Sequence, residues 1–120
     1  MRIGADYYPE HWEKERWKTD AEMMVKANIK VIRIGEFAWS LYEPEEGKYE
    51  FDWMDEALDF FGKYGIKVVM CTPSATPPKW MIDKYPDILQ NDIHGNPKLF
   101  GTRKHYCFNS ETYREKTKKL

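Results

Sequence analysis

Arg33 and Glu36 are the first residues whose types and spacing could do chemistry. Arg33 lies inside a short apolar run, Val31 to Gly35, and Glu36 follows that run directly. A guanidinium within an apolar strand needs a carboxylate partner or a polar lumen, because burying an unpaired charge is very costly. Two interpretations stay open: a structural ion pair at a solvated strand end, or an active-site arginine that orients a catalytic carboxylate.

Arg103, His105 and Cys107 form the densest group of chemistry-bearing residues. They alternate, so an extended chain would point all three side chains to one side. A guanidinium is a rigid fork of donors that suits paired hydroxyls or a carboxylate. His105 and Cys107 could be half of a metal site, yet two ligands do not complete a tetrahedral zinc site. Their spacing gives no support for a Cys–His catalytic dyad.

Three short apolar runs predict the strands that must position these residues. The runs are Ile3 to Ala5, Val31 to Gly35 and Ile66 to Cys71. The last run is nearly continuous rather than alternating, which is typical of strands covered on both faces. The strand starts lie about 28 and 35 residues apart, the length of a βαβ unit. This spacing predicts a parallel sheet with right-handed crossovers.

Helices are predicted between and after the strands. Residues 13–28 and 52–64 carry apolar side chains at helical spacing, which defines one buried face for each helix. Asp52 is predicted as an N-cap, and Gly65 as a left-handed C-terminal cap. A short helix is expected over residues 79–82. A longer helix is expected from residue 109 or 110 to the end.

The loops at the carboxyl ends of the predicted strands carry most of the remaining signal. Residues 36–51 and 72–109 are rich in Trp, Pro and Tyr, whereas the loops that enter the strands are short. Barrel enzymes and doubly wound enzymes build their pockets from such loops. No dinucleotide-binding or P-loop glycine motif is present. Three strands cannot close a barrel of about 250 residues, so the chain is predicted to be a small open α/β domain or the first part of a larger one.

Composition excludes several classes of protein. The 120 residues include 19 basic and 20 acidic side chains, for a net charge of -1, which argues against electrostatic binding of nucleic acid or anionic membranes. Hydrophobic residues make up 42% of the chain, so it is not intrinsically disordered. No apolar run approaches the roughly 20 residues of a membrane helix. Two cysteines are too few for a disulfide framework, and an acid at position 6 interrupts any signal peptide. We expect a soluble, globular, cytoplasmic protein.

Five motifs, in order and at matching spacings, resemble glycoside hydrolase family 42, whose members are mainly β-galactosidases. The motifs are Gly4-Ala5-Asp6-Tyr7-Tyr8-Pro9-Glu10-His11-Trp12, Arg33-Ile34-Gly35-Glu36-Phe37-Ala38-Trp39-Ser40, Glu43-Pro44 with Glu46-Gly47, Thr72-Pro73-Ser74-Ala75-Thr76-Pro77-Pro78 and Arg103-Lys104-His105-Tyr106-Cys107. The resemblance implies an α/β fold, an incomplete TIM (β/α)8 barrel with its first three βα units. Residues 1–120 would form the N-terminal portion of the catalytic domain, truncated before strand four.

The same resemblance implies a function and a set of site residues. It implies hydrolysis of terminal, non-reducing β-D-galactosyl residues by a retaining mechanism. The chemistry would need no cofactor, and the full-length protein would often be a homotrimer. Arg103 resembles the arginine that contacts the galactose ring beside the cleaved bond. Arg33 resembles the arginine that supports the nucleophile, and Glu36 and Trp39 would lie near the pocket. Cys107 resembles the first of four cysteines that bind a structural zinc in some members.

The catalytic carboxyl pair is expected to be missing from this chain. A retaining glycosidase needs two carboxyl groups about 5–5.5 Å apart, and in this family they lie at the ends of strands four and seven, after Leu120. The remaining three zinc cysteines would also follow Leu120. We therefore predict that the isolated chain does not hydrolyse galactosides. The alternatives are a sugar-binding module, a non-catalytic remnant, or a relative that acts on α-L-arabinopyranosides.

Overall fold

The computed structural model describes residues 3–120 and contains, within that range, one sheet of three strands. The strands are β1 (Ile3–Asp6), β2 (Ile29–Ile34) and β3 (Lys67–Met70). Their order is β1-β2-β3, and both neighbouring pairs are parallel. The register places Asp6 opposite Arg33, so the ends of β1 and β2 bring a carboxylate beside a guanidinium. The predicted strands and their parallel arrangement are confirmed.

Five α-helices accompany the sheet in the described part of the chain. They are α1 (Lys14–Lys26), α2 (Trp39–Tyr42), α3 (Asp52–Lys63), α4 (Lys79–Lys84) and α5 (Glu111–Lys119), with 3-10 turns at Pro9–His11 and Pro86–Ile88. The helix α2 and both 3-10 turns were not predicted, because segments this short have no measurable periodicity. Across residues 3–120, no helix has the length and apolarity that a membrane span requires.

The predicted helix caps are partly confirmed. Gly65 has φ +71°, in the left-handed region that glycine adopts without a Cβ clash. Ser110 caps α5, since its hydroxyl accepts a hydrogen bond from the Tyr113 N–H at 3.2 Å. The prediction for Asp52 is wrong: Phe51 is the N-cap and Asp52 is the first residue of α3. Its negative charge still lies in the first turn, where the helix dipole favours it.

The chain divides into two compact units, and the first contains the sheet. It comprises the residues up to Glu36 together with Glu50–Thr72. Here α1 packs on β2, and α3 packs on β3. The core side chains come from one face of each helix and from the central strand, and they include Trp17, Ala21, Ile32, Met54, Ala57 and Phe61.

The edge strand β3 is less covered than its sequence indicated. Its residues Val69 and Met70 are 51% and 59% exposed, so the prediction of a strand buried on both faces is wrong for the described part of the chain. The reason is that β3 is an outer strand of the sheet, and α3 is the helix that packs on it. Apolar side chains of β3 are therefore exposed to solvent.

The second unit consists of Phe37–Tyr49 and Pro73–Leu120 and contains α2, α4 and α5. Its core contains three aromatic and three aliphatic residues: Trp39, Tyr106, Tyr113, Met81, Ile82 and Ile88. The rings of Tyr106 and Tyr113 are stacked with their centroids 4.1 Å apart. This core is built from side chains of the segments that follow β2 and β3.

Candidate functional site

Arg33 is held by two carboxylates in the first unit. Its Nε donates to Asp6 Oδ1 at 2.7 Å, and its Nη2 donates to Asp6 Oδ2 at 3.1 Å and to Glu36 Oε2 at 2.7 Å. Of the two environments expected for an arginine in this strand, a carboxylate partner or a polar lumen, the described residues supply carboxylate partners. Asp6 was not predicted as that partner. The signal was available, because a carboxylate at the end of one strand lies beside the residue in register on its parallel neighbour.

The cluster of Asp6, Arg33 and Glu36 is a solvent-facing charge group. The hydrogen bonds to Asp6 raise the pKa of Arg33 above its ordinary value, and the charges of Asp6 and Glu36 add to this effect. The Arg33 side chain is 42% exposed, so its contribution to stability is small. A fixed cation between two carboxylates, at the carboxyl ends of β1 and β2, can instead orient a further polar or anionic group.

Arg103 lies in the second unit and is bound differently. It is exposed, and its guanidinium carbon lies 4.3 Å from the centroid of the Phe37 ring. Within residues 3–120 its guanidinium forms neither a hydrogen bond nor an ion pair. All five N–H donors are therefore available to a ligand, and paired hydroxyl groups would suit them.

Arg103, His105 and Cys107 do not share one side, so the prediction from their alternation is wrong. The backbone turns at Lys104, whose φ is +55°, and this breaks the extended geometry that alternation requires. His105 is 1% exposed, and its Nδ1 lies 2.5 Å from the carbonyl oxygen of Thr102. Cys107 is half-buried. Of the three, Arg103 is the exposed residue.

Trp39 is a core residue of the second unit. No part of its side chain is exposed, so the ring packs in the core of this unit, and its expected position near the pocket stays a prediction. Its indole N–H donates to Glu43 Oε2 at 2.9 Å, while Glu43 Oε1 accepts from the Gly47 N–H at 2.8 Å. Glu43 is itself only 4% exposed. Sequence reasoning missed this buried carboxylate, although its spacing of four residues from Trp39 was visible.

The described residues supply at most one ligand of a metal site. Cys71 and Cys107 are free, half-buried thiols. Residues 3–120 contain no group of three His, Cys, Asp or Glu side chains placed to hold a metal ion. Cys107 could serve as one ligand, and a complete tetrahedral set would need donors from outside this range.

The comparison with protein families decides where this chain belongs. The model of glycoside hydrolase family 42, described as β-galactosidase, matches residues 6–120. The chain belongs to glycoside hydrolase family 42. This confirms the resemblance that the five motifs indicate.

Relatives within family 42 support the assignment along the whole chain. The β-galactosidase BgaH of Haloferax lucentense is 50% identical over 120 residues, which is all of this chain and 18% of that protein. A β-galactosidase of Thermus thermophilus is 53% identical over 118 residues, covering 98% of this chain and 18% of that protein. The chain thus spans 18% of the length of these two relatives.

Solved structures of family 42 enzymes confirm the fold. The β-galactosidase of Halorubrum lacusprofundi superposes with a TM-score of 0.94 at 47% identity, over 100% of this chain and 18% of that one. The β-galactosidase of Marinomonas ef1 gives a TM-score of 0.94 at 46% identity, with the same coverage. The three-stranded parallel sheet and its helices are therefore part of a TIM barrel.

Proposed function

We propose that residues 1–120 supply the first three βα units of the catalytic barrel of a retaining β-galactosidase. The observation that carries this proposal is the match of nearly the whole chain to family 42 β-galactosidases, in sequence and in fold. The substrate class is terminal β-D-galactosides. The two catalytic carboxyl groups come from a part of the barrel outside these residues. In the Gan42B catalytic mutant, one of the matched structures, the altered glutamate lies far beyond the length of this chain.

In this proposal the chain contributes substrate-binding and positioning groups. Arg103 donates hydrogen bonds to hydroxyl groups of the galactose ring, which agrees with its exposed guanidinium and with the lack of a hydrogen bond to it from any described residue. Arg33, fixed by Asp6 and Glu36, orients the catalytic nucleophile. Trp39 acts indirectly, from the core of the second unit, where its ring contacts that of Tyr113.

Cys107 belongs to the same proposal as one ligand of a structural zinc. Its thiol is free and half-buried, which suits a thiolate ligand completed by donors outside residues 3–120. The zinc would stabilise the fold and take no part in the chemistry. Replacing Cys107 with serine is expected to lower the zinc content of the assembled enzyme, measured by elemental analysis.

A chimeric enzyme tests the proposal directly. Residues 1–120 replace the matched segment of the Thermus thermophilus β-galactosidase, which is 53% identical to them. We expect the chimera to hydrolyse a chromogenic β-galactoside and to release β-galactose first, as a retaining mechanism requires. We expect the isolated chain to show no hydrolysis, because it lacks the carboxyl pair that supplies acid–base catalysis.

Two outcomes would contradict the proposal. The first is a chimera that folds, as judged by cooperative thermal unfolding, yet has no activity although its parent is active. The second is an Arg103→Ala chimera with an unchanged KM. Lys18→Ala, at an exposed position on α1, is the control that should match the unmodified chimera.

A further inference from the structure

The Arg103 side chain is fixed by an aromatic face rather than by an acid. We propose that Phe37 is a positioning residue, whose ring holds the Arg103 guanidinium in place for a sugar while leaving its N–H donors free. The inference rests on the proposed role of Arg103 in binding galactosides. Its starting point is the distance of 4.3 Å between the guanidinium carbon and the centroid of the Phe37 ring.

The backbone around both residues is anchored. The Thr76 hydroxyl donates to the Phe37 carbonyl oxygen at 3.3 Å, and the Lys104 N–H donates to the Ala75 carbonyl oxygen at 3.3 Å. The loop after β3 therefore holds the residue that carries the ring and the residue next to Arg103. Buried His105 tightens the same turn through its contact with the Thr102 carbonyl oxygen. Both partners of the cation–π contact are thus set before a ligand arrives.

The choice of an aromatic partner has a chemical consequence. Arg16 and Arg33 each pair with a carboxylate. The Nε of Arg16 lies 2.7 Å from Asp20 Oδ1, and the Nε of Arg33 lies 2.7 Å from Asp6 Oδ1. Such a partner takes up N–H donors and neutralises the charge. A cation–π contact restrains the guanidinium without using its conventional hydrogen bonds. Arg103 consequently keeps both its full charge and its donors for a hydroxyl-rich ligand.

The half-buried ring of Phe37 makes a simple packing role the competing explanation. A double-mutant cycle separates the two, because a positioning residue acts through Arg103 and a packing residue does not. The chimera carries Phe37→Leu, Phe37→Trp, Arg103→Ala, and Phe37→Leu combined with Arg103→Ala. The readouts are the KM for a chromogenic galactoside, the inhibition constant of galactose and the thermal unfolding midpoint. Phe108→Leu, which removes a 68%-exposed ring elsewhere in the second unit, is the matched control.

We expect Phe37→Leu to raise KM and the galactose inhibition constant about three- to tenfold, the range typical of cation–π contacts. Phe37→Trp should restore both values, because it keeps an aromatic face. In the Arg103→Ala background, Phe37→Leu should change KM less than twofold. Phe108→Leu should leave both values unchanged. Where the leucine variant does not unfold cooperatively, Phe37→Met takes its place.

The opposite results overturn the inference. If Arg103→Ala raises KM but Phe37→Leu does not, Phe37 has no positioning role and the proposed function stands. The same holds if Phe37→Leu raises KM by an equal factor with and without Arg103. If Arg103→Ala leaves KM unchanged, the assignment of Arg103 itself fails, and this inference fails with it.

Discussion

Asp6 fixes Arg33 through two hydrogen bonds between residues in register on neighbouring strands. Both side chains are substantially exposed, and an exposed ion pair contributes little to the stability of a fold. The pair therefore matters more for the direction of the guanidinium than for stability. Glu36 alone would hold Arg33 by a single hydrogen bond, which leaves the guanidinium free to rotate.

The first prediction at this scale is that Asp6→Ala affects activity more than stability. In the chimera we expect kcat/KM to fall about tenfold to a hundredfold, because small displacements of orienting groups are costly in catalysis. The thermal unfolding midpoint should change little. Glu56→Ala, which removes the exposed partner of Lys14 in the same unit, is the control and should leave kcat/KM unchanged. Equal kcat/KM values for the two variants would contradict the role given to Asp6.

The second prediction concerns Glu43. Because this carboxylate is buried, its removal should affect stability, whereas the removal of Asp6 should mainly affect activity. Glu43→Ala leaves the Trp39 indole N–H and the Gly47 backbone N–H without their acceptor. The buried indole N–H then costs about 1–3 kcal/mol, whereas Gly47 is exposed and its N–H turns to water. The free energy of unfolding should therefore fall by about 1–3 kcal/mol. Urea unfolding of the chimera measures this. Glu45→Ala removes only an exposed pair with Lys48, and a loss no larger than that of this control would refute the argument.

Among the secondary-structure elements, the sequence predicts those whose apolar residues recur at regular spacing. It does not predict features that depend on contacts between residues far apart in the sequence. The apolar spacing of α1 and α3 and the continuous runs of the strands were sufficient to place them. The four residues of α2 are too few to show a period. The contact between Phe37 and Arg103 joins residues that lie far apart in the sequence, and the chain beside Arg103 makes a left-handed turn at Lys104, a conformation that a lysine rarely adopts.

Glu46 joins three elements of the second unit. It lies in the segment after α2 and pairs with Lys84 at the end of α4 and with Lys116 in α5. The Tyr85 hydroxyl also donates to Glu46 Oε1 at 2.9 Å. The hydrogen bonds from Lys116, Lys84 and Tyr85 lower the pKa of Glu46 from 4.5 to about 2. This carboxylate is the electrostatic link between α4 and α5.

The third prediction is a pH-dependent stability contribution from Glu46. A carboxyl group whose pKa is lower in the folded state stabilises the fold above its unfolded pKa of 4.5. That contribution is lost as the pH falls from about 4.5 towards 2. The urea midpoint of the chimera should therefore exceed that of its Glu46→Gln variant at neutral pH, and the difference should disappear over this window.

Asp83→Asn is the matched control for Glu46. Asp83 forms an exposed i,i+4 pair with Lys79 on the surface of α4. Its substitution should change the urea midpoint little at any pH. A difference between the chimera and Glu46→Gln that stays constant down to pH 2 would show that Glu46 stabilises the fold by packing and not by charge.

At the scale of the whole chain, the exposed edges of the sheet determine whether the isolated chain associates with other copies. Both β1 and β3 are outer strands of the described sheet, so each has one edge with unpaired backbone groups. Three apolar side chains on these strands are about half exposed: Ile3, Val69 and Met70. Unpaired edges with apolar side chains promote association with other chains. In an enzyme of family 42, the rest of the barrel would cover these surfaces.

The fourth prediction is that the isolated chain self-associates and that charge on β3 reduces this. Size-exclusion chromatography should show oligomers that grow with concentration, and thermal unfolding should be broad. Val69→Lys should shift the chain towards the monomer, because a lysine on an edge strand opposes further strand pairing. Val25→Lys, at an exposed apolar position on α1, is the control and should have little effect. A monomer at all concentrations with a sharp unfolding transition would mean that the three βα units are a complete folding unit, with no need of the remaining barrel.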